Sequence, residues 1–156
     1  MDQEKRTITI VFSKTGVTKK AARRVADLAG SDLMEIRTVK RYPESYAATV
    51  VVAKKEQLLG ELPGLQEYPD LSACDRILLG FPVWWFTCPQ AVAGFAAHYD
   101  LTGKTLLPFC THGGGGPRSS SKKLREHCAA QVAECFDATK ATDGDILRWL
   151  EAPKFA

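Results

Sequence analysis

The stretch Thr7-Ile8-Thr9-Ile10-Val11-Phe12 is β-branched or apolar throughout, the pattern of a strand covered on both faces of a sheet. It runs without a spacer into Ser13-Lys14-Thr15-Gly16-Val17-Thr18, which places three hydroxyls and a glycine at a turn. A helical stretch follows, with Ala22, Val25, Ala26 and Ala29 on one apolar stripe and Lys19, Lys20, Arg23 and Arg24 on other faces. A helix that starts at such a turn directs unpaired N–H groups and a positive dipole end outward. Hydroxyls beside it add neutral donors, and Gly16 leaves room for close approach. The junction therefore suits a phosphate group.

The rest of the chain repeats the alternation. Strand patterns fall at Thr7–Phe12, Asp32–Ile36, Arg76–Phe81, Lys104–Cys110 and Val132–Phe136. Pro89 is placed to open a helix running to about Tyr99. Ser119-Ser120-Ser121 offers a cap for a helix to about Cys128, and Thr142 with Asp145 forms a capping-box pattern for a last helix through Trp149. Residues Tyr46 to Leu59 contain the β-branched run Val50-Val51-Val52, which by propensity favours a strand. The surrounding alanines, lysines, Glu56, Gln57 and Leu58, and the need for a crossover between parallel strands, predict a helix instead. Five strands alternating with helices predict an α/β fold with a parallel sheet covered on both faces. Ligands of such folds sit beyond the carboxyl ends of the strands.

At 156 residues the expectation is one domain over positions 1–156. No apolar run reaches the length of a membrane span, and Gln3-Glu4-Lys5-Arg6 does not read as a secretory leader. A cytoplasmic protein with no membrane partner is expected. Cys74, Cys88, Cys110, Cys128 and Cys135 are odd in number and scattered, which predicts reduced thiols rather than a disulfide framework or zinc site. A net charge of +3 is too small to argue for nucleic acid.

Two further loops sit at strand ends. Gly80-Phe81-Pro82-Val83-Trp84-Trp85-Phe86-Thr87-Cys88-Pro89 concentrates aromatic residues where loops favour small polar ones. Stacking on a planar ligand accounts for them, and folding of one tryptophan onto the sheet edge is the alternative. Thr111-His112-Gly113-Gly114-Gly115-Gly116-Pro117-Arg118 carries four consecutive glycines, costly to order and suited to backbone lying against a flat ligand.

With these three loops the chain resembles a short-chain flavodoxin over nearly its whole length. The runs Pro82-Val83-Trp84-Trp85 and Cys110-Thr111-His112-Gly113-Gly114 are most similar to a bacterial branch of that family. The resemblance implies a three-layer flavodoxin-like fold with a five-stranded parallel sheet in the order 2-1-3-4-5. It also implies bound flavin mononucleotide (FMN). Ser13, Lys14, Thr15, Gly16, Val17 and Thr18 would hold the phosphate. Pro82, Val83, Trp84, Trp85, Phe86 and Thr87 would border the isoalloxazine and ribityl groups, and Thr111, His112, Gly113, Gly114 and Gly115 the other edge of the ring. Two departures stand out. Val17 occupies a position that is usually polar in the family. No glycine lies between Phe81 and Ala93, where flavodoxins often turn a peptide to accept the N5 hydrogen of the half-reduced flavin.

Other chemistries fit less well. Seven residues separate Cys110 from Arg118, too many for the single phosphate cradle of a cysteine phosphatase. There is no G-x-S-x-G elbow, no Walker A match and no G-x-G-x-x-G fingerprint. His112 is a candidate to hydrogen-bond the flavin or donate a proton, or is an ordinary loop histidine. Cys88 reads as a small buried hydrophobe or a helix-start thiol, His98 and His127 as structural or exposed, and Asp143 and Asp145 as capping residues rather than metal ligands. The expected function is electron transfer through a bound flavin. The alternatives are an FMN-dependent NAD(P)H oxidoreductase of the quinone type, acting by two-electron transfer, and a flavin-free partner-binding module. Partners are accordingly a redox protein, or NAD(P)H with a small acceptor. The chain is expected to be a monomer or homodimer.

Overall fold

The computed structural model describes residues 6–155; Gln3, Glu4 and Lys5, on which the expectation about a secretory leader rests, lie outside them. The first β-branched run forms strand β1 (Thr7–Val11) and the next segment helix α1 (Val17–Ala29), whose buried stripe includes Ala22, Val25 and Ala26. Strand β2 (Asp32–Glu35), helix α2 (Tyr46–Leu59), strand β3 (Arg76–Pro82), helix α3 (Gln90–His98), strand β4 (Thr105–Thr111) and helix α4 (Ser120–His127) follow. Short strands β5 (Gln131–Val132) and β6 (Phe136–Asp137) precede helix α5 (Asp143–Glu151). The sheet is parallel in the order β2-β1-β3-β4-β5, with β6 also paired to β4.

Residues 50–52 are helical despite their β-branched side chains. Ser45 caps α2 by accepting from the Ala48 N–H at 3.1 Å, and Gly60 closes it in a left-handed conformation at φ 65°. The crossover between β2 and β3 thus overrides local propensity.

The fifth strand differs from expectation. Residues expected as one strand over Val132–Phe136 form two short pieces, because the N–H groups between them bond elsewhere. Glu134 donates to the Lys154 carbonyl at 2.7 Å and Cys135 to the Ser121 hydroxyl at 2.7 Å. An edge strand has free backbone groups on one side, so such diversions are cheap.

Alternating strand residues divide the interior into two apolar layers. Ile77, Leu79 and Phe81 join Val92, Phe95 and Leu124 on one face. Leu78, Leu107 and Phe109 join Val25, Ile146 and Trp149 on the other. A Cβ at Gly80 would overlap the Phe109 ring, so the glycine lets β3 and β4 sit under that ring.

Candidate functional site

The first loop leaves β1 with the Phe12 N–H bonded to the Gly80 carbonyl at 2.9 Å. The Ser13 hydroxyl then accepts from the N–H groups of Gly16 and Lys19 at 3.1 and 3.3 Å, folding the turn back on the start of α1. Gly16 sits at φ 92°, a conformation that favours glycine, and the space beside it is open. Val17 and Thr18 begin the helix, so their N–H groups precede its first intrahelical acceptor. The three hydroxyls have different surroundings. Thr15 is exposed, Ser13 braces the turn, and buried Thr18 bonds the Thr111 hydroxyl at 2.7 Å. The Val17 side chain faces solvent.

The second loop is a two-residue hairpin turn. Trp84 and Thr87 pair through backbone bonds of 3.0 and 3.4 Å, with Trp85 at φ 54° and Phe86 at φ 67° between them. This is the geometry in which asparagine and glycine are favoured. Two bulky residues holding it mark stored backbone strain, which concentrates at ligand sites.

The three aromatic side chains diverge. Trp84 is 6% exposed and packs edge-on against Phe12 and Tyr42, so it is the tryptophan folded onto the sheet. Trp85 is 41% exposed and turns toward α2, donating from Nε1 to the Val50 carbonyl at 2.6 Å beneath the Lys54 ammonium. Phe86 faces the glycine loop, with a Cβ built on Gly115 3.5 Å from its ring and the Arg118 guanidinium 5.7 Å from its centroid. At the end of the turn, the buried Thr87 hydroxyl has no partner among the described residues. Cys88 is buried, and burial pushes its thiol up to about 12, as fits a small hydrophobe.

The third loop is anchored on both sides. The His112 N–H donates to the Thr139 hydroxyl at 3.2 Å. Its ring Nδ1 accepts from the Gly114 N–H at 2.9 Å, which leaves Nε2 to donate to Asp137 at 2.6 Å. Burial acts to raise the Asp137 carboxyl, but hydrogen bonds from His112 and Thr139 hold it below its ordinary value. Both ring nitrogens of His112 are thus engaged in holding the loop. Gly114 and Gly116 adopt φ 141° and 73°, with open space where side chains would stand.

At the far end of this loop, Arg118 Nε donates to the Gly115 carbonyl at 2.7 Å, and the Ser119 N–H donates to the Phe86 carbonyl at 3.2 Å. The three serines expected to cap α4 bond elsewhere: Ser119 to Phe86, Ser120 to the Pro117 carbonyl, Ser121 to Cys135.

The loops therefore converge. Thr18 meets Thr111, the Val83 N–H donates to the Thr111 carbonyl at 2.9 Å, and Ser119 meets Phe86. Asp137 and Thr139 brace the third loop of the candidate site, and neither was expected from the sequence. Their signal was an Asp-x-Thr turn just past a strand, in which Asp137 accepts from the Thr139 N–H at 3.0 Å. An open hollow of about 790 Å³ between β6 and α5 touches this cluster only at Asp137.

Other sequence candidates are structural. Thr142 and Asp145 form the reciprocal capping box of α5. His98 stacks on Tyr68, and Arg24 pairs with Asp143. No group of metal-ligating side chains occurs, and no helix is long and apolar enough to cross a membrane, among the described residues. The five cysteines are unpaired.

The sequence profile of the flavodoxin family matches residues 6–152. The chain belongs to the flavodoxin family. Its fold is shared with a protein assigned as a flavoprotein from Bacteroides eggerthii DSM 20697, at a TM-score of 0.80 and 22% identity over 95% of this chain and 97% of that one. A second, from Bacteroides uniformis ATCC 8492, has a TM-score of 0.80 and 25% identity over 96% of this chain and 100% of that one. A flavoprotein of Lactobacillus acidophilus NCFM, solved in complex with FMN, has a TM-score of 0.70 and 20% identity over 94% of this chain and 99% of that one. No curated protein sequence matches the chain.

The open turn at Gly16, the free first-turn N–H groups and the uncovered backbone at Gly113 and Gly114 suit a phosphate joined to a flat ring. The residues present fit FMN.

Proposed function

We propose that this chain binds FMN and transfers electrons through it. The observation that carries the reading is the convergence of three loops, each with a different piece of flavin-binding chemistry, at the carboxyl ends of β1, β3 and β4. Bound FMN would supply the redox chemistry, and the chain binds, orients and partly shields it. The N–H groups of Val17 and Thr18 and the hydroxyls of Ser13 and Thr15 would hold the phosphate, with Lys14 adding positive charge. The backbone of Gly113 to Gly115 is left open and would take the flat ring, and the Phe86 ring is the aromatic group that faces Gly115. Pro82 and Val83 would border the ribityl side, and Thr111, bonded to Val83 and Thr18, would support the other edge of the ring. His112, tied to Asp137 and Gly114, is a positioning residue for the loop.

The absorption spectrum of purified protein tests the reading. Flavin bands, or their appearance with saturable binding when FMN is added to colourless protein, are the expected result. A colourless protein that takes up no FMN would sink it.

One observation favours the two-electron alternative. The turn at Trp85 and Phe86 already holds both residues at positive φ without a glycine, so its peptides are poorly suited to turn with redox state. Reduction with dithionite in one two-electron step, and steady NAD(P)H consumption with a quinone, are expected on that version. Two separated one-electron steps favour the carrier.

A further inference from the structure

Helix α2 is built inside out. Its buried stripe is Thr49, Ala53 and Glu56, while Val51, Leu58 and Leu59 stand outward at 66%, 73% and 62% exposure. The inward polar groups are satisfied. The Thr49 hydroxyl donates to the Pro43 carbonyl at 2.7 Å, and Glu56 accepts from the Tyr42 hydroxyl at 2.8 Å beside the Lys40 ammonium at 3.4 Å. The outward apolar groups have no such explanation among the described residues. With Lys54, Lys55 and Trp85 they line an open hollow of about 510 Å³.

We propose that this face of α2, continuous through Trp85 with the second loop of the flavin site, docks a protein partner presenting an apolar centre among carboxylates. Charge selects the occupant. Lys54 and Lys55 flank the apolar stripe, and the one acidic side chain within α2, Glu56, is buried, so the helix face is positive. A second copy seated here by two-fold symmetry would bring the same lysines together, which disfavours self-association. A patch of this kind on an isolated surface marks an interaction site. Its functional meaning rests on the proposed flavin binding, because Trp85 joins the docking face to the loop that would border the ring.

The test uses an acidic two-iron ferredoxin as probe. In the first measurement, tryptophan fluorescence of the flavin-free protein is followed as oxidised ferredoxin is added. A saturable change, lost in Trp85→Phe and weakened at least tenfold in Val51→Asp and Leu58→Asp, is expected. In the second, chemically reduced ferredoxin reduces the FMN-loaded protein. Each ferredoxin gives one electron, and two electrons with two protons from solvent complete the reduction. The second-order rate is expected to fall at least tenfold in Leu58→Asp and in Lys54→Glu/Lys55→Glu, while reduction by dithionite and FMN affinity stay unchanged. Rising salt is expected to slow the wild-type reaction and not the lysine variant.

Equal ferredoxin rates or affinities in wild type and variants would overturn the proposal. So would a wild-type dimer that Leu58→Asp separates, since the occupant would then be a second copy. Failure to bind FMN would remove the proposed function but leave the fluorescence titration as an independent test of the surface.

Discussion

Trp85 and Phe86 both occupy left-handed backbone at the tip of the second loop, at a cost of roughly 1–2 kcal/mol per residue. Relief of that strain and loss of the ring have opposite consequences. Phe86→Gly is expected to raise the stability of flavin-free protein by about 0.5–1 kcal/mol in urea unfolding, since glycine adopts the conformation freely. The same change is expected to weaken FMN roughly tenfold, the scale of a lost aromatic contact, as read by fluorescence titration. A stabilised protein with unchanged flavin affinity would show that Phe86 does not face the ring. The Thr111 hydroxyl pairs with that of buried Thr18. Thr111→Val should cost about 1–2 kcal/mol, since a buried hydroxyl loses its partner. A urea midpoint unchanged at constant slope would remove that bond from the account.

The split fifth strand places β6 beside the end of β4, and its Asp137 holds the third loop through His112 and Thr139. The Asp137 carboxyl titrates below its ordinary value because these hydrogen bonds outweigh the opposing effect of burial. A depressed carboxyl contributes stability that is fully present above the unfolded value near 3.9 and is lost as pH falls through the folded one. Asp137→Asn is therefore expected to cost about 1 kcal/mol at neutral pH, the scale of a partly exposed charged hydrogen bond. The gap to wild type should close as pH falls from about 5 toward 3. Urea midpoints measured across that range check the sign, and a gap constant with pH would contradict it. At the same scale, α2 forms over Val50-Val51-Val52 because a crossover of parallel strands requires it, and tertiary demand outweighs a propensity difference of tenths of a kcal/mol.

For the whole molecule, the three loops lie at the carboxyl ends of the central strands of a sheet that is already ordered, so FMN should bind a largely formed site. Ligand that binds only the folded state adds about 2.7 kcal/mol at a hundredfold excess over Kd. For a chain of this length that corresponds to a rise in Tm of roughly 5–10 °C. Differential scanning fluorimetry with and without FMN measures it. A Tm independent of FMN would count against a preformed site.

The strand-turn-helix at Thr7 to Thr18, the parallel alternation and the glycine loop were legible in the sequence because each rests on local physics. Burial of a β-branched run, a helix start without acceptors and backbone without Cβ atoms need no distant partner to be recognised. Everything dependent on residues far apart in the chain was not legible. That Trp84 enters the core while Trp85 meets α2, that Phe86 reaches Gly115, that Asp137 secures His112, and that α2 turns its polar stripe inward were decided only when the sheet assembled. Side-chain direction within a tight turn follows from which surfaces remain unfilled around it. The sequence by itself determined the strand, the open turn at Gly16 and the helix start that follows it; the tertiary structure decided which side chains meet across the loops beyond, because those meetings join residues tens of positions apart.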